Sequence, residues 1–251
     1  KYSVRGDVSS QFISGLMFAL PLLENDSIID ITGAIESGSY LGMTVKALAD
    51  FGIRISRTDE HTVFIKGNQT YKPRTLCVEG DYSNAAFLEA FNSVGGNVAV
   101  TGLKKDTCQG DAVYRKLFGK LVRGCPEIDI SDCPDLAPVL MAVAAATNGV
   151  RLTGTHRLKI KESDRGKAMA EELSKFGCSV KVYENEIEVK KRGITTPTDI
   201  LSGHNDHRIV MALSLLCSIT GGSISGAEAV NKSFPDYFRR LASLGIKVEE
   251  K

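Results

Sequence analysis

The residues of this chain able to do acid–base and anion chemistry gather just ahead of helices. In residues 157–177, RLKIKESDRGKAMAEELSKFG, the side chains of Arg157, Lys159, Lys161, Glu162, Asp164 and Arg165 fall within nine positions, immediately before an amphipathic helix begins. A helix N-terminus already carries partial positive charge, so cations placed there do not serve the dipole. Two readings stand: a solvated charge cluster of the kind common on surfaces, or a doubly anionic substrate held by Lys161 and Arg165 with Glu162 beside them as a general acid or base. Other helix mouths carry similar material. Ser9, Ser10 and Gln11 offer two hydroxyls and an amide to a phosphate, although N-capping accounts for one serine. Asp135 follows Pro134 ahead of an apolar helix, where a cap is again the plain alternative. In HNDHR (204–208), Arg208 at the start of a buried helix is out of place unless an anion joins it. His204, Asp206 and His207 fit no helical i, i+4 pair and no familiar zinc spacing. Lys232, in NKSFPDYF, reads by itself as a solvated surface lysine.

The elements that position these residues repeat. GDVSSQF (6–12) and GDYSNAAF (80–87) share G-D-x-S-x-x-F or its close variant at a spacing of 74, each opening an apolar helix. CPDLAPVLMAVAAATNG and NDHRIVMALSLLCSITGG have the same design: a polar mouth, then a helix apolar almost all round, which predicts burial. Three further segments, beginning at 44, 166 and 237, are helices with apolar residues at i, i+4 and i+7, closed by glycine and followed by one or two alternating strands. Met169, Leu173 and Phe176 mark one such stripe, a packing face. Together these predict an α/β unit of strand, buried helix, strand, amphipathic helix and hairpin at about 1–72, 74–131, 132–193 and 198–251, with the second copy the least clear. The buried helices would present their N-termini at a common surface, a natural site for phosphates and carboxylates.

Composition sets the bounds. With 31 basic and 30 acidic residues the formal charge is +1, which argues against nucleic acid and membrane surfaces as partners. No apolar run approaches a membrane span, and the opening KYSVRGDVSS resembles no targeting sequence, so a cytoplasmic protein is expected. The six cysteines form no C-x-x-C pair and read as reduced thiols packed as small hydrophobes.

In this order and at these distances, GDVSSQF, VEGDYSNAAF, CPD, KESDR, NDHR and KSFPDYF closely resemble the 5-enolpyruvylshikimate-3-phosphate synthase family, over essentially the whole chain. The resemblance implies an α/β fold of enolpyruvyl transferase-like βαβαββ repeats with buried helices: three repeat units in 74–251 forming most of one pseudo-threefold domain, and one unit in 1–73 from an incomplete second domain. It implies that the family's N-terminal part is lacking. The implied reaction moves the enolpyruvyl group of phosphoenolpyruvate to the 5-hydroxyl of shikimate 3-phosphate and releases phosphate, with no metal or organic cofactor. Carried over by position, Ser9, Ser10 and Ser37 would meet the shikimate phosphate. Tyr40 and Lys161 would make further contacts to that substrate, and Gln11 would face phosphoenolpyruvate. Asp135 and Glu162 would be the acid/base carboxylates. Arg165, Arg208 and Lys232 would hold the phosphoenolpyruvate anion, with Lys232 also a candidate proton donor.

Two departures accompany the match. Arg157 or its neighbours stand where many relatives carry Asn, and the family's N-terminal Lys and Arg ligands have no counterpart here. Two rivals follow: a non-catalytic phosphate-ligand-binding fragment, and a relative of the UDP-N-acetylglucosamine enolpyruvyl transferases. The missing N-terminal segment or another copy of the chain are the candidate protein partners.

Overall fold

Strand β2 (Ser27–Thr32, SIIDIT) shows how short-range pattern becomes structure. Its side chains alternate, with Ser27, Ile29 and Ile31 buried and Ile28 and Thr32 exposed, as expected of a strand covered on one face. The computed structural model describes residues 1–35, 38–191 and 193–250, and the chain divides into two compact units, 1–79 with 104–110 and 80–103 with 111–251.

In the first unit β1 (Tyr2–Arg5) runs parallel to β2, and β4 (Thr62–Ile65) pairs antiparallel with both β2 and β3 (Ile55–Arg57), giving the order β1-β2-β4-β3. Helices α1 (Ser10–Ala19) and α2 (Gly38–Asp50) pack on each other over a core of Ile13, Met17, Ile29, Leu41, Leu48 and Ile65. The expectation that α1 is buried on all sides is corrected. Ile13, Met17 and Leu20 face inward, but Phe12 is 62% exposed and Phe18, Leu22 and Leu23 are exposed with it. A single sheet and one partner helix cover only one stripe of an α-helix.

The second unit repeats the same topology in β5 (Glu127–Asp129), β6 (Gly149–Thr153), β7 (Ser179–Val182) and β8 (Glu186–Lys190), ordered β5-β6-β8-β7 with β5 and β6 parallel and the other pairs antiparallel. Because β5 pairs with β6, this copy begins before residue 132, the position the sequence pattern suggested. The other two copies are partial. Among the described residues, 74–126 holds helices α3 (Tyr82–Glu89) and α4 (Tyr114–Arg123) but no strand. The last copy has a two-residue parallel pair, β9 (Leu201–Ser202) with β10 (Ile224–Ser225), around α7 (His207–Thr220), then α8 (Tyr237–Ser243) with no hairpin after it among the described residues.

At the centre lie α5 (Ala137–Ala146) and α7, packed on each other, with every residue from Ala137 to Ala145 buried. The alanines let neighbouring elements approach closely, and the helix has no polar face to keep wet. Helix α6 (Arg165–Lys175) buries Met169 and Leu173, with Phe176 just beyond it, against this core. No described helix is long and apolar enough to cross a membrane. All six cysteines are free, but only Cys133 and Cys178 are buried. Cys77, Cys108 and Cys125 are exposed, contrary to their expected packing.

Candidate active site

Four helix N-termini of the second unit meet through their side chains. Asp81 caps α3, accepting from the backbone N–H of Ser83 at 2.8 Å and Asn84 at 3.3 Å. Asp164 caps α6 by accepting from the N–H of Lys167 at 3.2 Å. Asp206 caps α7, its Oδ1 accepting from the N–H of Arg208 at 2.9 Å. The approach to α7 is tight. A Cβ on Gly203 would lie 2.7 Å from Val210 and 2.8 Å from the Gly226 carbonyl, and His204 and Asn205 both have left-handed backbone, φ +47° and +52°. Only glycine fits the first position, and the two strained residues after it aim Asp206 and Arg208 inward.

Asp135 lies in a 3-10 turn, Pro134–Leu136, ahead of α5 and does not cap that helix. Its carboxylate accepts instead from cations on three other segments. Arg165 Nη1 is 2.6 Å from Oδ1, Lys161 Nζ 3.3 Å from the same oxygen, and Arg208 Nη2 3.0 Å from Oδ2. Capping is therefore no account of Asp135.

Arg165 is the hub. Its side chain is 1% exposed, and each guanidinium nitrogen donates to a different carboxylate: Nε to Asp206 at 2.9 Å, Nη1 to Asp135 and Nη2 to Glu162, both at 2.6 Å. The rigid fork of a guanidinium makes this three-way bridge possible, and no lysine reproduces it. The solvated-cluster reading fails for Arg165, though it describes Glu162, whose side chain is 42% exposed. Arg208 does find its anion, and that anion is Asp135 of the same chain. Its Nη1 donates to the Ser83 hydroxyl, while its Nε is buried with no hydrogen-bonding partner among the described residues.

Burial works to raise the Asp135 carboxyl, but Arg208, Lys161 and Arg165 together outweigh it and hold it far below the usual carboxylate range. Asp206 is lowered likewise, Arg165 overcoming burial, and Arg165 is held above its ordinary value against burial by Asp135 and Asp206. His207, buried beside Arg208, is depressed and stays neutral. A neutral imidazole at this mouth was not anticipated, nor were the roles of Ser83, Ser163 and Asp206, the last two bonded to each other at 3.0 Å.

Asp111 was missed altogether. It stands one residue into a 3-10 turn before α4, is 4% exposed, and leaves Oδ1 without a partner among the described residues while Ser83 bonds the carboxyl. Burial first, then the charge of Asp135, push it up to about 7. The signal was present: Gly110-Asp111 repeats the Gly-Asp pairs at 6–7 and 80–81. A raised carboxyl contributes stability that is full below its unfolded value of 3.8 and is lost as pH rises toward 7. Wild-type stability relative to Asp111→Asn should therefore fall by up to about 4 kcal/mol between about pH 4 and pH 8, read by urea unfolding at each end. A difference that stays flat with pH would remove the buried protonated carboxyl.

The remaining expected residues lie as follows. Lys232 is exposed and donates to the carbonyl and, at 2.8 Å, to the side-chain oxygen of Asn205, beside the cap residue of α7. In the first unit Ser9 caps α1, accepting from the N–H of Gln11 at 3.2 Å. Ser10 is buried, Gln11 exposed, and the Tyr40 carbonyl accepts from Thr44. Capping thus accounts for Ser9. Ser37 lies outside the described residues. His204, Asp206 and His207 do not converge as metal ligands: His204 Nε2 is 2.9 Å from Glu172, and Asp206 is taken by Arg165. Glu171, Glu172 and His204 do cluster within 4.8 Å, but the fully buried Glu172 already holds Lys175 at 2.9 Å.

This architecture is that of the enolpyruvyl transferases. The chain superposes with a TM-score of 0.78 on an EPSP synthase from Acinetobacter baumannii at 20% identity, over 98% of this chain and 63% of that one. With the enolpyruvyl transferase NikO from Streptomyces tendae the TM-score is 0.66 at 14% identity, over 92% and 58% of the two chains. At such identities the likeness establishes the fold. Sequence goes further: residues 1–241 match the family profile described as EPSP synthase (3-phosphoshikimate 1-carboxyvinyltransferase). The chain is 39% identical to the 3-phosphoshikimate 1-carboxyvinyltransferase of Clostridium kluyveri and 41% identical to that of Clostridium acetobutylicum, over 99% of its own length in each case. The chain belongs to the EPSP synthase family. It spans 63% and 62% of the length of those two relatives.

Proposed function

We propose that this chain supplies the acid–base and anion-binding side of an enolpyruvyl transfer from phosphoenolpyruvate to the 5-hydroxyl of shikimate 3-phosphate, with release of phosphate, in a cytoplasmic biosynthetic setting. The observation that carries the reading is the single buried guanidinium of Arg165 joined at 2.6 Å to both Asp135 and Glu162. The reaction must protonate a methylene carbon, deprotonate a hydroxyl and stabilise a charged tetrahedral intermediate. Two carboxylates held apart by one fixed cation, with Arg208 and Lys161 alongside, suit those demands.

In this reading Glu162, the more open carboxylate, exchanges protons with substrate, and Asp135 orients and deprotonates the hydroxyl. Arg208 binds the phosphoenolpyruvate anion. Arg165 holds the two carboxylates and reaches substrate only if one of them releases it. Lys232, on an exposed turn, serves the same anion or donates a proton. Ser9, Ser10, Ser37 and Tyr40 are assigned to shikimate 3-phosphate together with Lys161, and Gln11 to phosphoenolpyruvate. No cofactor is invoked.

A second reading, a fragment that binds phosphate ligands without turnover, is favoured for the isolated chain by its 63% span of the relative's length. The two are separated by phosphate release from phosphoenolpyruvate plus shikimate 3-phosphate, measured with the chain alone and with a polypeptide supplying the remainder of the relatives' length. Activity in the complemented mixture is expected. A folded mixture that binds both substrates and releases no phosphate would leave the binding fragment.

A further inference from the structure

The site is charge-balanced before any ligand enters. Three cations, Lys161, Arg165 and Arg208, face three carboxylates, Asp135, Glu162 and Asp206, and all are joined by direct contacts. Asp135 is the focal point, because it alone touches all three cations. Among the described residues, Asp111, at the turn before α4, and Cys133, two positions earlier in the chain, also feel its charge. An anionic ligand approaching Arg208 and Lys161 thus meets guanidinium and ammonium groups already engaged by a negative charge.

Two features mark this arrangement as exchangeable. Arg165 is locked by carboxylates on all three nitrogens, whereas Arg208 uses only its Nη atoms and keeps a buried Nε unpartnered among the described residues. Lys161 is partly exposed and sits farther from Asp135 than either arginine, at 3.3 Å. Arg208 and Lys161 can therefore turn to a ligand while Arg165 stays.

We infer that Asp135 is a placeholder anion: it keeps Arg208 and Lys161 in position while the site is empty, and a ligand anion displaces it from both. The inference rests on reading the site as one for anions and deepens it. The consequence is that binding itself creates the base. A carboxylate clasped by three cations is too weak a base to take a hydroxyl proton; with two of the three drawn to the ligand it gains basicity when the substrate is present. The contact also sets affinity, since each ligand anion must first replace an internal one of the same sign.

Sulfate is a suitable probe because it has no titratable proton between about pH 5 and pH 7, so any proton taken up from the buffer on binding goes onto the protein. Calorimetric titration of the chain and of Asp135→Asn is expected to show sulfate bound about tenfold more tightly by the variant. Wild-type binding, measured in buffers of different ionisation enthalpy at about pH 5, should take up protons, and the variant should take up fewer. Glu162→Gln removes a charge that touches Arg165 but neither exchanging cation, and it should tighten sulfate by less than about threefold. Equal affinity in Asp135→Asn and wild type, or equal tightening by both variants, would overturn the placeholder while leaving the anion site intact. Absence of sulfate binding in all three proteins would overturn both. Wild-type proton uptake keeps the proposal open to refutation even if Asp135→Asn fails to fold.

Discussion

Glu162→Gln lowers turnover by about 10² to 10⁴ in the complemented assay while shikimate 3-phosphate binding stays within about twofold, as expected when an acid/base group is lost and a neutral isostere keeps its shape. Three features of the site set this expectation. Glu162 is the most exposed of the carboxylates around Arg165, so it is the one free to meet substrate. Its bond to Arg165 fixes its position, and the amide of Gln can still accept from that guanidinium at the same place. The residue lies before the first turn of α6 and contributes nothing to the apolar core, so stability should change by well under the effect on rate. Substrate binding lost with turnover unchanged would sink the acid/base assignment. Single-turnover measurements separate the two results.

Arg165→Met destabilises the second unit by about 3–5 kcal/mol, read as a shift in the urea midpoint at constant slope. The side chain that leaves is almost wholly buried, and what remains is Asp206, fully buried, with Ser163 and a backbone N–H as its partners. Methionine fills much of the volume but supplies no charge, so the cost is an uncompensated buried carboxylate rather than a cavity. The double variant Arg165→Met/Asp206→Asn should recover part of the loss, because it removes the charge that was left behind. Arg165→Lys should not rescue, since one ammonium cannot span carboxylates placed by α5, α6 and α7. A midpoint within error of wild type for Arg165→Met would show that Asp206 is satisfied by other means, and the hub would lose its structural role.

Much of the local architecture was legible along the chain. The start of α3 follows from the G-D-x-S pattern, with Asp81 as its cap, while Asp164 and Asp206 cap α6 and α7 in the same way without having been singled out for it. The stripe Met169, Leu173 and Phe176 packs as its spacing suggested. Where the pattern misled, it did so for a tertiary reason. The run around α1 is apolar on several faces, yet its unit offers a covering for one of them, and Phe12 remains outside. The copy within 74–126 carries the G-D motif and its helices, but the alternating NVAVTGL forms no strand among the described residues, since a strand needs a partner that local pattern does not supply. The mouth of α5 looked like a capping site because Asp after a loop and before a helix usually is one, and nothing in its neighbours reveals three cations.

The sequence by itself determined the order of elements, the repeated α/β unit and the polar helix mouths, because capping, glycine stops and apolar periodicity act between residues a few positions apart. It also carried the family motifs, and with them the carboxylates proposed as acid and base. What only the tertiary structure decided is which charges neutralise one another. Arg165 meets partners 30 and 41 residues away, and Arg208 meets Ser83 across 125 residues. The Asp111 carboxyl is pushed up to about 7 only because the fold buries it, with Asp135 beside it. Burial and ion pairing are properties of what surrounds a group in space, and separations of that size leave no periodic trace in the chain.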